Sequence, residues 1–275
     1  MKRLKQWSLA VLAMMMVFVL SACGQTSSET TSEPASSSDS TASSDTSSQE
    51  LIPLQIAQST DGFLWVPVYV AREKGYFEEE GLDVEVIVTG GGSKTMAAVL
   101  SGSADLGAAS VADAMDAIDQ GKSVYAFAAL MNQYASNVVV KREIAEANGI
   151  TEDSPYEEKA KLLKGLTIGV TAPGSGTDRL VRMIARSVDL NPDQDLTIVP
   201  LGSGGAMVSA FKQEQIEAFC ISSPSAETGI VEGDGMMLFN LSKGEVPLLD
   251  GIAYTAMIAT EEYINKHPEI IEKVM

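Results

Sequence analysis

From Leu51 onward, apolar runs of strand length alternate with amphipathic segments of helix length, joined by turns of a few residues. No other feature constrains the fold as strongly, because a strand, a helix and a further strand pack as a right-handed crossover unit of a parallel sheet. PLQIAQS (53–59) and LDVEVIVT (82–89) read as strands, and between them Pro67 suits the first turn of a helix that Gly75 helps to end. Helix 93–101, strand 104–109, helix 111–120 and strand 124–131 follow, which predicts a parallel sheet with helices on both faces. After Met131 the polar residues of NQYAS interrupt the pattern, and 142–164 reads as helix in two pieces broken near Ser154-Pro155. The alternation then resumes with strands 166–171, 196–201, 216–221 and 236–241 separated by helices 176–188, 204–213 and 224–233. Two α/β lobes joined by extended crossings are the simplest architecture.

Three of the strand-to-helix turns share one composition. VTGGGSKT (88–95), VTAPGSGT (170–177) and VPLGSGGA (199–206) are each rich in Gly, Ser or Thr. The first is no nucleotide loop: a phosphate-wrapping turn needs Gly directly before its Lys-Ser/Thr pair, and here Ser93 stands before Lys94 and Thr95. One such turn is satisfied by helix capping through Ser93, Ser175 or Thr177. Three at the carboxyl ends of parallel strands, split between two lobes, point to one shared ligand space, since open α/β sheets bind ligands there.

The N-terminus reads as an address. Lys2, Arg3 and Lys5 precede an apolar run from Trp7 to Leu20 that is short for a membrane span and suits a secretion signal over residues 1–22. Leu20-Ser21-Ala22-Cys23 resembles the lipobox of bacterial lipoproteins, which implies cleavage before Cys23 and lipidation of its thiol. Residues 24–50 hold 16 Ser or Thr out of 27, too little apolar surface to offset ordering entropy. A tether over 23–50, with a reach of roughly 30 Å, is the expectation. Without its signal the chain carries 16 basic and 37 acidic residues, a net charge of −21, which argues against nucleic acid as a partner. With Cys23 committed to lipid, Cys220 has no disulfide partner, and with a single histidine, His267, no metal site or His-based triad can be assembled.

The run WVPVYVAREKGYFEEEGLDVEVIVTGGGSKTMAAVLSGSADLG (65–107) resembles bacterial substrate-binding proteins of the nitrate, sulfonate and taurine class, which includes binders of pyrimidine precursors. LKGLTIGVTAPGSGT (163–177) and ISSPSAETGIVEGDG (221–235) resemble its second-lobe counterparts. The resemblance implies an α/β, two-lobed periplasmic-binding-protein fold of type II, with two Rossmann-like lobes and a ligand cleft between them. Lobe 1 is expected over 51–134 plus about 246–275, with its C-terminal part cut short in an uncapped helical pattern, and lobe 2 over 135–245. It also implies a monomeric receptor with no cofactor that hands a small solute to an ABC permease. Carried over, the ligand contacts are Ser59, Thr60, Trp65, Gly91, Gly92, Ser93, Ser110 and Asn132 in and beside the first lobe. In the second they are Thr171, Ser175, Gly176, Thr177, Ser203 and Ser222. Trp65 and Phe63 suit either a heterocycle or core packing, and Lys94 either an anion or solvent, so oxyanion and pyrimidine-like ring stay open. A solute sensor without transport and an enzyme on the same scaffold are the rival readings. For the latter, Asp61 and Asp178 are the nearest cleft carboxylates, and Asp178 suits a helix N-terminus better.

Overall fold

The computed structural model describes residues 50–246, 249 and 251–275. The expected signal, Cys23 and all but the last residue of the expected tether lie outside the described residues. The first strand, β1 (Ile52–Gln58), buries Leu54 and Ile56 at alternate positions. A 3-10 turn at Phe63–Trp65 leads into α1 (Val66–Glu73), which carries Pro67 in its first turn, and then α2 (Tyr76–Glu79) and β2 (Leu82–Val88). Helix α3 (Gly92–Ser101), β3 (Leu106–Ser110), α4 (Val111–Asp119) and β4 (Val124–Met131) complete the first run. The second run comprises β5 (Ser136–Lys141), α5 (Arg142–Ala147), α6 (Tyr156–Lys161), β6 (Thr167–Val170), α7 (Gly176–Arg186) and β7 (Thr197–Pro200). It continues through α8 (Gly204–Lys212), β8 (Ala218–Ser222), α9 (Ser225–Gly233) and β9 (Gly235–Phe239). The chain then returns as β10 (Thr255–Thr260), α10 (Glu261–Lys266) and α11 (Pro268–Val274).

The strands form two five-stranded sheets of matching order, β2-β1-β3-β10-β4 and β7-β6-β8-β5-β9. Neither sheet is wholly parallel, which corrects the sequence expectation. Strand β10 lies antiparallel between β3 and β4, and β5 lies antiparallel between β8 and β9. The reason is the length of the crossing. Only residues 132–135 separate β4 from β5, whereas a parallel neighbour requires a return path of a dozen residues or more. A strand that enters the second sheet directly from the first must run away from the cleft, against strands whose carboxyl ends face it.

Side-chain packing in the second lobe is tight around β8 and α9. Phe211 and Phe219, both fully buried, meet edge to face at 5.0 Å. Gly229 of α9 lies under this pair, and a Cβ there would sit 2.3 Å from Phe219 Cζ. Gly205 of α8 has nothing within 4 Å of its Cβ position. Alanine normally stabilises a helical glycine site by roughly 0.4–1 kcal/mol, but overpacking a core costs about 1–3 kcal/mol. Gly205→Ala should therefore raise Tm by roughly 1–3 °C, and Gly229→Ala should lower it by roughly 2–8 °C. Thermal melts of the two variants beside the parent check both signs.

Candidate functional site

The carboxyl ends of β1, β3, β6 and β8 face one another across the gap between the sheets, and a small cavity lies there. Its lining comprises Ser59, Thr60, Leu64, Trp65, Gly92, Ser110, Asp113, Ser136, Thr171, Ser175, Gly176, Thr177, Ile221, Tyr254 and Thr255. The cavity volume is about 20 Å³, room for one water molecule. The lobes touch on both sides of it. Ser93 Oγ donates to the Pro173 carbonyl at 2.9 Å, and the Phe63 N–H donates to the Ser223 carbonyl at 2.9 Å. Arg179 of α7 also reaches across, donating to the Ala112 carbonyl and pairing with the Asp116 carboxylate. This is a closed arrangement.

Nine of the expected contacts therefore meet at one cavity: Ser59, Thr60, Trp65, Gly92, Ser110, Thr171, Ser175, Gly176 and Thr177. Trp65 is buried, and its indole N–H points to Thr60 Oγ1 at 3.4 Å. On the opposite lobe, Thr171, Ser175 and Thr177 form a triangle of hydroxyls with sides of 2.8, 2.9 and 3.0 Å. Ser175 also caps α7 through the Asp178 N–H, while Ser110 caps α4 through the Ala112 N–H.

The other five expected contacts sit elsewhere. Gly91 and Ser93 stand at the lobe contact beside the cavity, where a Cβ on Gly91 would be 2.6 Å from the Ala172 Cβ. The backbone of Gly91, with φ of 143°, suits glycine, so its role here is close approach of the opposite lobe. Ser222 lines a neighbouring groove with Phe63, Met131 and Gln133. Asn132 is an exposed residue of the crossing, which places its side chain outside the cavity. Ser203 is exposed and spends its hydroxyl on the Ala206 N–H as the cap of α8. Lys94 and Asp61 are exposed, and Asp178 accepts from the Gly174 N–H and from Arg182, the work of a helix N-terminus.

The residue that sequence reasoning missed is Asp113. It stands three residues into α4, and its Oδ2 accepts the Ser110 N–H at 3.1 Å to close a capping box. The Ser-x-x-Asp spacing at 110–113 signals that box, but not where the second oxygen goes. The carboxylate packs onto Gly92 so closely that a Cβ there would fall 1.9 Å from Oδ2. The glycine turn thus makes room for the protein's own acid at the start of α3. Asp113 is 4% exposed, and its Oδ1 has no hydrogen-bond partner, lying 3.9 Å from an Arg179 nitrogen. Burial pushes its pKa up to about 7, against the pull of the Arg179 cation and the Ser110 N–H. Tyr254, whose hydroxyl contacts Ser136 Oγ at 2.5 Å and whose ring stacks on Tyr134 at 3.7 Å, also lines the cavity and was not anticipated. Burial holds its pKa well above the ordinary tyrosine value.

The NMT1-like family pattern matches residues 63–275. The chain belongs to the NMT1-like family. This NMT1-like chain is 26% identical over 229 residues to YtlA of Bacillus subtilis (strain 168), whose name describes it as a binding protein; the match covers 82% of this chain and 64% of YtlA. It is 25% identical over 221 residues to the 4-amino-5-hydroxymethyl-2-methylpyrimidine phosphate synthase of Schizosaccharomyces pombe, covering 75% of this chain and 58% of the synthase. The chain thus spans about three fifths of the length of these relatives. The periplasmic nitrate-binding protein NrtA of Synechocystis PCC 6803 superposes with a TM-score of 0.66 at 18% identity, covering 82% of this chain and 60% of NrtA. That likeness establishes the periplasmic-binding-protein fold.

Buried ionisation at Asp113 has a testable pH signature. Its folded pKa lies above the ordinary 3.8, so its contribution to stability is full below about pH 4 and is lost as pH rises through about 7. Asp113→Asn removes this titration while keeping the cap on Ser110. The Tm of the variant, measured relative to the parent, should rise between about pH 4 and about pH 7 and level off above. A difference that stays flat across that window overturns the reading.

Proposed function

We propose that this NMT1-like chain is the solute-binding component of an ABC importer, working at the extracytoplasmic face of a bacterial membrane. The observation that carries the proposal is the cavity shared by the two lobes, lined by hydroxyls at strand ends and by the starts of α3, α4 and α7. A site of about 20 Å³ admits a solute only after the lobes part, so binding is coupled to opening and closure about the crossings. Three helix termini at up to ~1 kcal/mol each fall short of the roughly 8 kcal/mol of micromolar binding. Direct hydroxyl contacts and expulsion of water on closure would supply the remainder. The closed form, bearing solute, is what a permease would recognise, and a monomer suffices for this task.

The pyrimidine phosphate synthase among the relatives favours a second reading, an enzyme on the same scaffold. Among the cavity-lining residues the titratable side chains are Asp113 and Tyr254, and neither stands as a nucleophile beside a base. Binding without chemistry fits that inventory better. A sensor without transport would use the same cleft.

Two measurements test the proposal. A thermal-shift screen of residues 24–275 against alkanesulfonates, nitrate and pyrimidines should give a Tm rise of several degrees for one chemical class, by mass action on the folded state. Turnover of a hit would move the assignment to the enzyme reading. In cells, Cys23→Ala should shift the protein from the membrane fraction to the soluble one; retention in the membrane would remove the lipid anchor from the proposal.

A further inference from the structure

Resting on the solute-binding reading, the geometry around Asp113 narrows the chemistry of the solute. Helix starts α3, α4 and α7 converge on the cavity, an arrangement that ordinarily suits an oxyanion. Here the carboxylate of Asp113 already occupies that field, pressed on Gly92 at the start of α3 and bonded to the Ser110 N–H at the start of α4. A second anion beside it would face like-charge repulsion in a buried setting. No Lys, Arg or His lines the cavity, and the nearest cation to the acid is Arg179, 3.9 Å from Oδ1 and engaged with Asp116 and the Ala112 carbonyl.

Two residues lining this space each carry a buried polar atom without a partner, Asp113 Oδ1 and Thr255 Oγ1; both residues are more than nine-tenths buried. An unpartnered buried acceptor is destabilising, more so if charged, until something donates to it. We propose that Asp113 is the specificity-determining residue of the cleft, accepting a hydrogen bond through Oδ1 from an amino or amidinium group of the solute and excluding oxyanions. Thr255 Oγ1, which can donate or accept, holds a neighbouring polar group of the same solute. Ionised, the carboxylate accepts from a nitrogen cation and repels an anion, and a cation bound beside it in turn favours the ionised form.

The test inverts the donor sense of one atom. Asp113→Asn keeps an oxygen for the Ser110 N–H and places an amide N–H₂ where Oδ1 was, turning an acceptor into a donor. Isothermal titration of the 24–275 chain and the variant would use 4-aminopyrimidine, benzamidine and methylguanidine against nitrate, methanesulfonate and taurine. The parent should bind nitrogen donors and neither nitrate nor methanesulfonate. The variant should lose about 10-fold or more in affinity for the donor, the size of one hydrogen bond to a charged group, and should gain affinity for an oxyanion. Binding of nitrate or methanesulfonate by the parent, or a variant that holds the donor as tightly as the parent, overturns the inference and leaves the solute-binding reading standing. Silence of both chains toward every probe, with cooperative melts in both, counts against the solute-binding reading itself and the inference falls with it.

Discussion

The direction of the strands at the two crossings governs everything else in this molecule. A link of residues 132–135 cannot turn the chain back, so β5 enters its sheet antiparallel, and β10 enters the first sheet in the same sense on the return. Every resident strand is thereby left with its carboxyl end toward the gap. Helix starts follow strand ends in an α/β lobe, so the gap also receives the amino termini of α3, α4 and α7. Hydroxyls that cap those helices, Ser110 and Ser175, become cavity walls without any further requirement on the fold.

Electrostatics inside the gap are set by what the protein places there itself. Backbone N–H groups and helix dipoles give the space a positive bias, and Asp113 answers it from within. This explains why a cavity ringed by helix termini carries no lining cation and why the turn at Gly92 tolerates nothing larger than hydrogen. Arg179, held at the rim by Asp116, tempers the buried acid without entering the cavity. Lobe contact and cavity charge are therefore joined through one guanidinium. Parting the lobes would remove that cation from Asp113 at the moment the site opens.

Much of the fold was legible because period-two and helical patterns survive in the residues themselves. Strand PLQIAQS at 53–59 and the helices after Gly92, Ser110 and Ser175 fall within a residue or two of their positions in the structure. The Gly/Ser/Thr turns at 88–95 and 170–177 signalled a shared space because caps and sharp turns require those residue types. The third turn also comes up to the gap, where a Cβ on Gly90 would lie 3.6 Å from the Gly202 carbonyl oxygen, while Ser203 beside it is exposed and caps α8. Strand direction was not legible: TAMIAT at 255–260 reads as an apolar run, and nothing in its pattern shows that it runs against β3 and β4. Asp113 was illegible for a related reason. Its sequence context shows the capping box, while its second oxygen owes its position to Gly92, a residue 21 places earlier in the chain.

The slot between β3 and β4 has a consequence for the order in which this chain can become protein. All five strands of the second sheet lie between residues 136 and 239, so that sheet has everything it needs as soon as β9 is available. The first sheet does not. Its centre stays open until residues 255–260 emerge, and the waiting edges carry small apolar side chains such as Ala108, Ala109, Ala128 and Ala129, all of which later pair with β10. Two facing strand edges with unpaired backbone groups are a template for any extended chain nearby. For a polypeptide released amino terminus first, the interval between its earliest and its latest strand is the period of greatest exposure to misassembly, and the second lobe matures while the first is still unfinished.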